Sequence, residues 1–556
     1  MPQARRKTPF SGKAKKQQLQ AKKQNKTLLL SSSSNTSNYD VLSMNYQPSR
    51  GGVRGRGDAN RYALKFYRES DEELRLKKEE ALKALNPVSE KEMEIDPIDF
   101  FPSELTFPKR PPWDFNMTPA QLDAQEQKYF REYINGLQAS PRWKEMSYFE
   151  LNLETWRQLW RVLEMCDILL LIVDVRFAGM MFPPSLYEYV VKDQGKDMIL
   201  VLNKIDLVPA PVVAAWKEYL TSTCPGLRVV YFTSCPGYNL AGANCDKAGL
   251  QVRRRKGRQR MCAEGATKIL EACKDIVKGE VDLGSWERKI AEESGVEFED
   301  EETEVGETIL QQADTSFYTH EKYKNGVLTV GCVGQPNVGK SSLMNAIMGR
   351  KVVSVSRTPG HTKHFQTIFL TPQVRLCDCP GLVFPSMVPR SIQILMGSYP
   401  IAQLREPYTT IRYLAERLDL PRLLRIDHPE NDDTWSPRDI CDGWAKKRGY
   451  LTAKAARLDT YRAANSILRM ALDGKICLWL RPPNFTDERE KFEKCDEIKY
   501  VKWVQALTRD ASAAVTSSSE GDGDSADSDG RESEGDSDSG GDTAEMANKF
   551  AALANE

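Results

Sequence analysis

At 556 residues the chain has room for roughly three domains, and 40% apolar residues are enough for at least one large core. A formal net charge of +0 conceals a basic beginning and an acidic end. Neither a signal-peptide pattern nor an apolar run of about 18 residues is present, so a membrane span is not expected and a reducing compartment is. The cysteines therefore read as thiols: no C-x-x-C pair has a matching second half, Cys377 and Cys379 flank an aspartate, and a zinc site is not expected.

Residues 1–60 carry Arg5, Arg6, Lys7, Lys13, Lys15, Lys16, Lys22, Lys23 and Lys26 in an apolar-poor context, which predicts a disordered basic arm. Such an arm suits phosphate contact with RNA and a nuclear or nucleolar address; a solubilising tail is the alternative. Ser31, Ser32, Ser33 and Ser34 form a candidate phosphorylation cluster. Residues 61–148 read as a helical and Pro-rich region, with a charged helix over 62–85 and then Pro97, Pro102, Pro108, Pro111 and Pro112.

Over 149–384 the pattern changes. Phe149, Leu153, Trp156, Leu159, Trp160 and Leu163 recur at helical spacing and lead into the apolar run 168–173, closed by Asp174. The unit repeats: a helix near 186–191 feeds a strand at 197–202, and a helix near 212–220 feeds one at 228–232. Strands apolar on both faces, alternating with helices, predict a mostly parallel sheet with helices on both faces. At the end of the second strand stands Asn203-Lys204-Ile205-Asp206, where open α/β sheets place ligands. Asp206 can accept two hydrogen bonds from guanine N1–H and N2–H₂, which adenine lacks. The four residues resemble the guanine-specificity motif N-K-x-D of GTPases, which implies that Lys204 lays its stem over the ring and Asn203 ties the loop back toward the phosphate site. After the third strand, Thr233-Ser234-Cys235 resembles the strand-end loop of GTPases, which implies that Ser234 and the Cys235 N–H face the base; an ordinary turn is the alternative.

An insertion over 237–325 carries a basic cluster, Arg253, Arg254, Arg255, Lys256, Arg258 and Arg260, a helix over 262–277 and an acidic stretch that reads as disordered. The cluster is an RNA contact, a nuclear signal or a solvated loop. After the apolar run 327–333 comes Gly334, Gln335, Pro336, Asn337, Val338, Gly339, Lys340 and Ser341, a P-loop, then a helix beginning at Ser342. Its glycines turn backbone N–H groups toward α/β-phosphates, Lys340 reaches the β/γ-phosphates, and the Ser341 hydroxyl holds Mg²⁺. Residues 356–363 have the pattern of a first switch loop, with Thr362 as γ-phosphate sensor and Mg²⁺ ligand. Asp378-Cys379-Pro380-Gly381 is D-x-x-G, with Asp378 directed to Mg²⁺ and the Gly381 N–H to γ-phosphate.

The order is base motif, strand-end loop, P-loop, switch, D-x-x-G, whereas most GTPases begin with the P-loop. A circular permutation reconciles the two and is tolerated where termini lie close at a surface. In motifs and order the chain resembles the permuted GTPases that include bacterial ribosome-biogenesis GTPases and eukaryotic large-subunit GTPases, over residues 60–505. Residues 152–164 and 457–465 carry the nearest resemblance to an individual member. The resemblance implies a P-loop G domain binding GTP or GDP with Mg²⁺, GTP hydrolysis, and a ribosomal RNA or pre-ribosomal particle as partner. Leu382 stands where other GTPases carry a water-orienting glutamine, implying slow intrinsic hydrolysis. Asn337 matches the asparagine that ligates K⁺ in related GTPases, or is structural.

Residues 385–508 read as helix-rich, with Leu458, Tyr461, Ala464, Ile467, Leu468, Ala471 and Leu472 on one apolar face and Lys446, Lys447, Arg448, Lys454, Arg457, Arg462 and Arg469 around it. That is an RNA-binding surface or a solvated face. Residues 509–556 are an acidic disordered tail with Ser525 and Ser528 beside acids. The combined expectation is a monomeric GTP switch of nucleus, nucleolus and cytoplasm acting on ribosomal particles. The alternative is a GTP-binding interaction protein with negligible turnover.

Overall fold

The computed structural model describes residues 70–233, 258–294, 321–349, 366–452 and 457–506. The basic arm, the acidic tail, Arg253 to Lys256, Lys454, Ser234, Cys235 and the switch loop with Thr362 lie outside them.

A six-stranded sheet organises the fold: β1 (Ile168–Asp174), β2 (Asp197–Asn203), β3 (Arg228–Tyr231), β4 (Leu328–Val333), β5 (Gln366–Thr371) and β6 (Val374–Asp378), in the spatial order β3-β2-β1-β4-β6-β5. Neighbours pair in parallel except β5 and β6, which are antiparallel. Every residue of β1 and β4 is buried, as continuous apolar runs covered on both faces require. The register pairs Asp174 with Asn203, Leu171 with Val333 and Cys332 with Asp378, so the base motif, P-loop and D-x-x-G leave the sheet along one edge. From β1 the chain adds β2 and β3 on one side, then crosses to build β4, β6 and β5 on the other. The P-loop strand therefore sits at the switch point, where crevices form in open sheets.

The principal helices are α1 (Asp71–Glu80), α2 (Pro119–Ala139), α3 (Leu153–Met165), α4 (Ala210–Thr223), α5 (Arg258–Val277), α6 (Gly284–Ser294), α7 (Lys340–Met348), α8 (Arg390–Met396), α9 (Tyr408–Ala415), α10 (Pro437–Arg448), α11 (Thr460–Leu472) and α12 (Glu497–Ala506). Helix α3 starts where Asn152 accepts the Glu154 N–H and buries Trp156, Leu159, Trp160 and Leu163. It approaches β4 so closely that a Cβ on Gly331 would stand 2.8 Å from Val162 Cγ1 and 3.0 Å from Cys166 Cβ. A capping box between Ser70 and Glu73 starts α1, inside the stretch 62–85 expected to be helical, and another between Thr118 and Gln121 starts α2.

Part of the stretch read as an insertion belongs to the core. Ala266, Ile269, Leu270 and Cys273 of α5 are buried, and a Cβ on Gly265 would overlap the Phe232 ring. The Pro-rich region is fastened to distant chain by backbone bonds, Leu85 N to Trp435 O, Ile95 N to Arg481 O and Met387 N to Phe100 O. In α11 the buried face is Ala463, Ala464, Ile467, Leu468 and Ala471; Leu458 and Tyr461, expected on it, are 36% and 41% exposed. Leu458 precedes the helix, and the Tyr461 hydroxyl donates to Leu404 O at 2.5 Å.

Candidate nucleotide-binding site

The P-loop bridges β4 and α7. Two residues take a left-handed conformation, Asn337 at φ 59° and Gly339 at φ 100°. The glycines are also required sterically: a Cβ on Gly334 would run into the Ile172 carbonyl, and one on Gly339 into Asn203 Nδ2. Val338 is buried, and Ser341 and Ser342 occupy the first turn of α7, half-buried. Lys340 is buried and its Nζ donates to the carbonyls of Gly334 (3.0 Å) and Gln335 (2.8 Å). Burial lowers its pKa, with the Asp378 carboxylate opposing that effect.

The D-x-x-G segment lies against this loop. Cys379 N donates to Cys332 O at 3.1 Å and Leu382 N to Gly334 O at 3.2 Å. A Cβ on Gly381 would stand 2.9 Å from Pro336 Cα and 3.1 Å from Lys340 Nζ. Cys379 and Pro380 are buried behind it. Asp378 is fully buried, and neither of its carboxylate oxygens has a hydrogen-bond partner. Desolvation pushes its pKa up to about 6, against the pull of Lys340. An unsatisfied buried carboxylate is expensive, and a hard oxygen-seeking cation such as Mg²⁺ is what such a group fits. Leu382 is fully buried and carries no polar group.

The base loop is joined to the same wall. Asn203 Nδ2 donates to Val338 O at 2.7 Å, the tie to the P-loop that its position at the end of β2 allows. Lys204 has φ 62°, and its Nζ donates to Asn337 O (2.7 Å) and to Asp174 Oδ2 (2.8 Å). Asp206 follows on a short turn, Ile205–Leu207, half-exposed, where its Oδ1 accepts the Thr233 hydroxyl at 2.6 Å. The turn is braced from below by Gln505 of α12, whose Nε2 donates to Ile205 O (2.7 Å) and Val208 O (2.8 Å).

Several of these residues went unread in the sequence. Asp174 ends β1 as the lone charge of an apolar strand, with Arg176 two residues on; that pattern was available as a signal. Gln505, Gly397 and Ser398 gave none. Ser398 Oγ donates to Gln335 Oε1 at 2.6 Å, and Asn337 Nδ2 to Gly397 O at 2.9 Å. Gly397, at φ 78°, caps the end of α8, so two P-loop side chains hold the first helix of the C-terminal stretch. The positive φ of Asn337 and its bond to Gly397 are a structural reason for asparagine that needs no ion.

Residues 329–420 match the family described as 50S ribosome-binding GTPase. Guanine nucleotide-binding protein-like 1 of Rattus norvegicus is 46% identical over 531 residues, covering 88% of this chain and 87% of that protein. The Homo sapiens protein of the same name is 46% identical over 535 residues, covering 88% of each. Large subunit GTPase 1 of Schizosaccharomyces pombe is 31% identical over 448 residues, 75% of this chain and 65% of that protein. Among solved structures, GNP-bound YlqF from T. maritima is 18% identical with a TM-score of 0.33, covering 59% of this chain and 96% of its own.

Proposed function

We infer, from the premise that the chain belongs to the family of guanine nucleotide-binding protein-like 1, that this GTP-binding GTPase is a slow, nucleotide-dependent switch acting on large-subunit ribosomal or pre-ribosomal particles. In this reading the Asp206 carboxylate pairs with the guanine N1–H and N2–H₂, and Lys204 lies along the base. Ser234 and Cys235 would close the base pocket. The P-loop amides of 334–342 and Lys340 hold the phosphates. Magnesium would be held by Ser341, Asp378 and, from the switch loop, Thr362, and would supply neutralisation of the phosphate charge there. The Gly381 N–H reads the γ-phosphate. Leu382, buried and apolar, leaves the glutamine role unfilled at its own position, which is why turnover is slow until a partner assists.

The observation that carries the switch is the joint between site and helices. Gly381 abuts Pro336, the chain then runs directly into α8, and the α8 cap is bonded back to Gln335 and Asn337. A shift of Gly381 toward γ-phosphate therefore bears on the helical stretch from both ends. The particle is supported by the ribosome-binding description of the matching family and by the name of the yeast relative. It is supported further by a basic surface with apolar residues between. Lys446, Arg448, Arg457, Arg462 and Arg469 are exposed around Leu451, Leu458 and Tyr461, whereas Lys447 Nζ is engaged by Leu424 O and Arg425 O. The basic arm of residues 1–60 would supply RNA contact and a nuclear and nucleolar address, with the cytoplasm as the second compartment.

Sedimentation of the purified chain with large ribosomal subunits tests this. Co-sedimentation with a non-hydrolysable GTP analogue and release with GDP are expected; no association in either state refutes the ribosomal role. The buried Leu382 also favours a second reading, a GTP-binding interaction protein without useful turnover. A GTPase rate unchanged by added subunits would select it.

A further inference from the structure

We propose that Asp174 and Arg176, at the end of β1, are positioning residues for guanine nucleotide binding: they hold the Lys204 side chain along the P-loop and fasten that arrangement to the end of α11. The inference rests on the reading of Lys204 as part of the base loop.

Asp174 is fully buried and Arg176 is 2% exposed, and they form an ion pair in which Arg176 Nη2 and Nε approach the carboxylate at 2.8 and 3.1 Å. The Arg176 backbone N–H also donates to Asp174 Oδ1 at 3.1 Å, and Lys204 Nζ completes the set at 2.8 Å. One carboxylate thus orients two cations, and only one of them, Lys204, continues to the P-loop, at Asn337 O. Arg176 has a further use for its fork: Nη1 donates to Ala471 O at 3.0 Å, a carbonyl in the last turn of α11, the negative end of that helix. The adjoining Leu472 reaches the α8 cap, where a Cβ on Gly397 would stand 3.2 Å from Leu472 Cδ2. Gly397 O in turn accepts Asn337 Nδ2. The path from Lys204 through Asp174, Arg176, α11 and Gly397 returns to Asn337, so the residue that Lys204 grips is fixed from two sides. Removing a buried ion pair in favour of packed apolar groups commonly leaves a fold as stable or more so, so stability alone is a weak reason for this one.

A double-mutant cycle reads the role directly. GDP affinity is measured by fluorescent-nucleotide titration for the full chain, Lys204→Ala, Asp174→Asn and the double variant. Asp174→Asn is expected to weaken GDP about tenfold alone and less than about twofold when Lys204 is already alanine, within the coupling range of contacting residues. Equal weakening in both backgrounds, or none, overturns the inference while leaving the base loop intact. If Lys204→Ala leaves GDP affinity unchanged, the base-loop reading itself falls and takes the inference with it. Arg176→Lys, which keeps the charge but not the fork, runs through the same cycle should Asp174→Asn fail to fold. Independently of any variant, acetylation of the nucleotide-free chain should modify Lys204 much more slowly than the 77% exposed Lys128. Equal rates would also overturn the arrangement.

Discussion

Replacing Gly381 by alanine should weaken GTP far more than GDP. The added Cβ would stand 2.9 Å from Pro336 Cα, 3.0 Å from Pro336 N and 3.1 Å from Lys340 Nζ. The first two are backbone atoms, which no rotamer change can move. Relief requires the two segments to part by roughly half an ångström, and overpacking of this kind costs about 1–3 kcal/mol. The P-loop is the stiffer side, because Val338 O, Asn337 O, the Asn337 amide and Gln335 Oε1 are each bonded to another element. The D-x-x-G segment therefore yields, and with it the N–H assigned to γ-phosphate, while the α/β-phosphate cradle remains. GTP affinity should fall by roughly 5- to 150-fold, the equivalent of that energy, and GDP affinity by less than about threefold. Titration with GDP and a non-hydrolysable GTP analogue measures both. Equal losses would show that the substitution damages the P-loop and that Gly381 does not sense the γ-phosphate.

Asp206→Asn should weaken GTP by several kcal/mol, the scale of mispaired buried polar groups, and narrow the preference for GTP over ATP; an unchanged preference measured by competition would refute the base-loop assignment. Asp378 has its pKa raised from 3.8 to about 6 by burial, so its favourable contribution is complete below pH 3.8 and is lost as pH rises through 6. In chelator and without nucleotide, Asp378→Asn should then stabilise the chain above pH 7 by about 3 kcal/mol, as two pKa units imply, and by much less at pH 4, while Mg²⁺-dependent GTP binding is lost; equal thermal shifts at both pH values would contradict this. Exchanging K⁺ for Na⁺ should leave turnover unchanged if Asn337 serves the loop and Gly397, whereas a several-fold fall in Na⁺ would assign its side chain to a potassium ion.

Much of the sheet was legible because its signals are local. The runs 168–173 and 327–333 are apolar on both faces, which only a strand covered on two sides can use, and both became fully buried strands. The shapes of the P-loop and of the strand-end loop 203–206 were legible because backbone conformation fixes residue type within a few positions. The ties between them were partly legible: Asn203 at a strand end pointed to a bond with the P-loop, but its acceptor, Val338, lies 135 residues on. Where the reading fell short, the cause is tertiary. Helix α5 looked like part of a spacer because its burial depends on Phe232, to which no periodicity connects it. Tyr461 has the right helical phase for the core, yet a hydroxyl needing an acceptor takes it to Leu404 O. Gln505 beneath the base loop and Ser398 beside Gln335 are single polar residues in helix-rich sequence, and nothing near them announces a partner 300 or 63 residues away.

The most direct test of the switch is the thermodynamic reciprocity it demands. A nucleotide that favours particle binding must itself be bound more tightly on the particle, by the same factor, with about 1–3 kcal/mol the usual range of such coupling. The measurement is the affinity of the full chain for GDP and for a non-hydrolysable GTP analogue, with and without purified large ribosomal subunits. Subunits should tighten the GTP analogue by roughly 5- to 150-fold relative to GDP. An unchanged ratio of the two affinities would contradict a nucleotide-controlled hold on the particle.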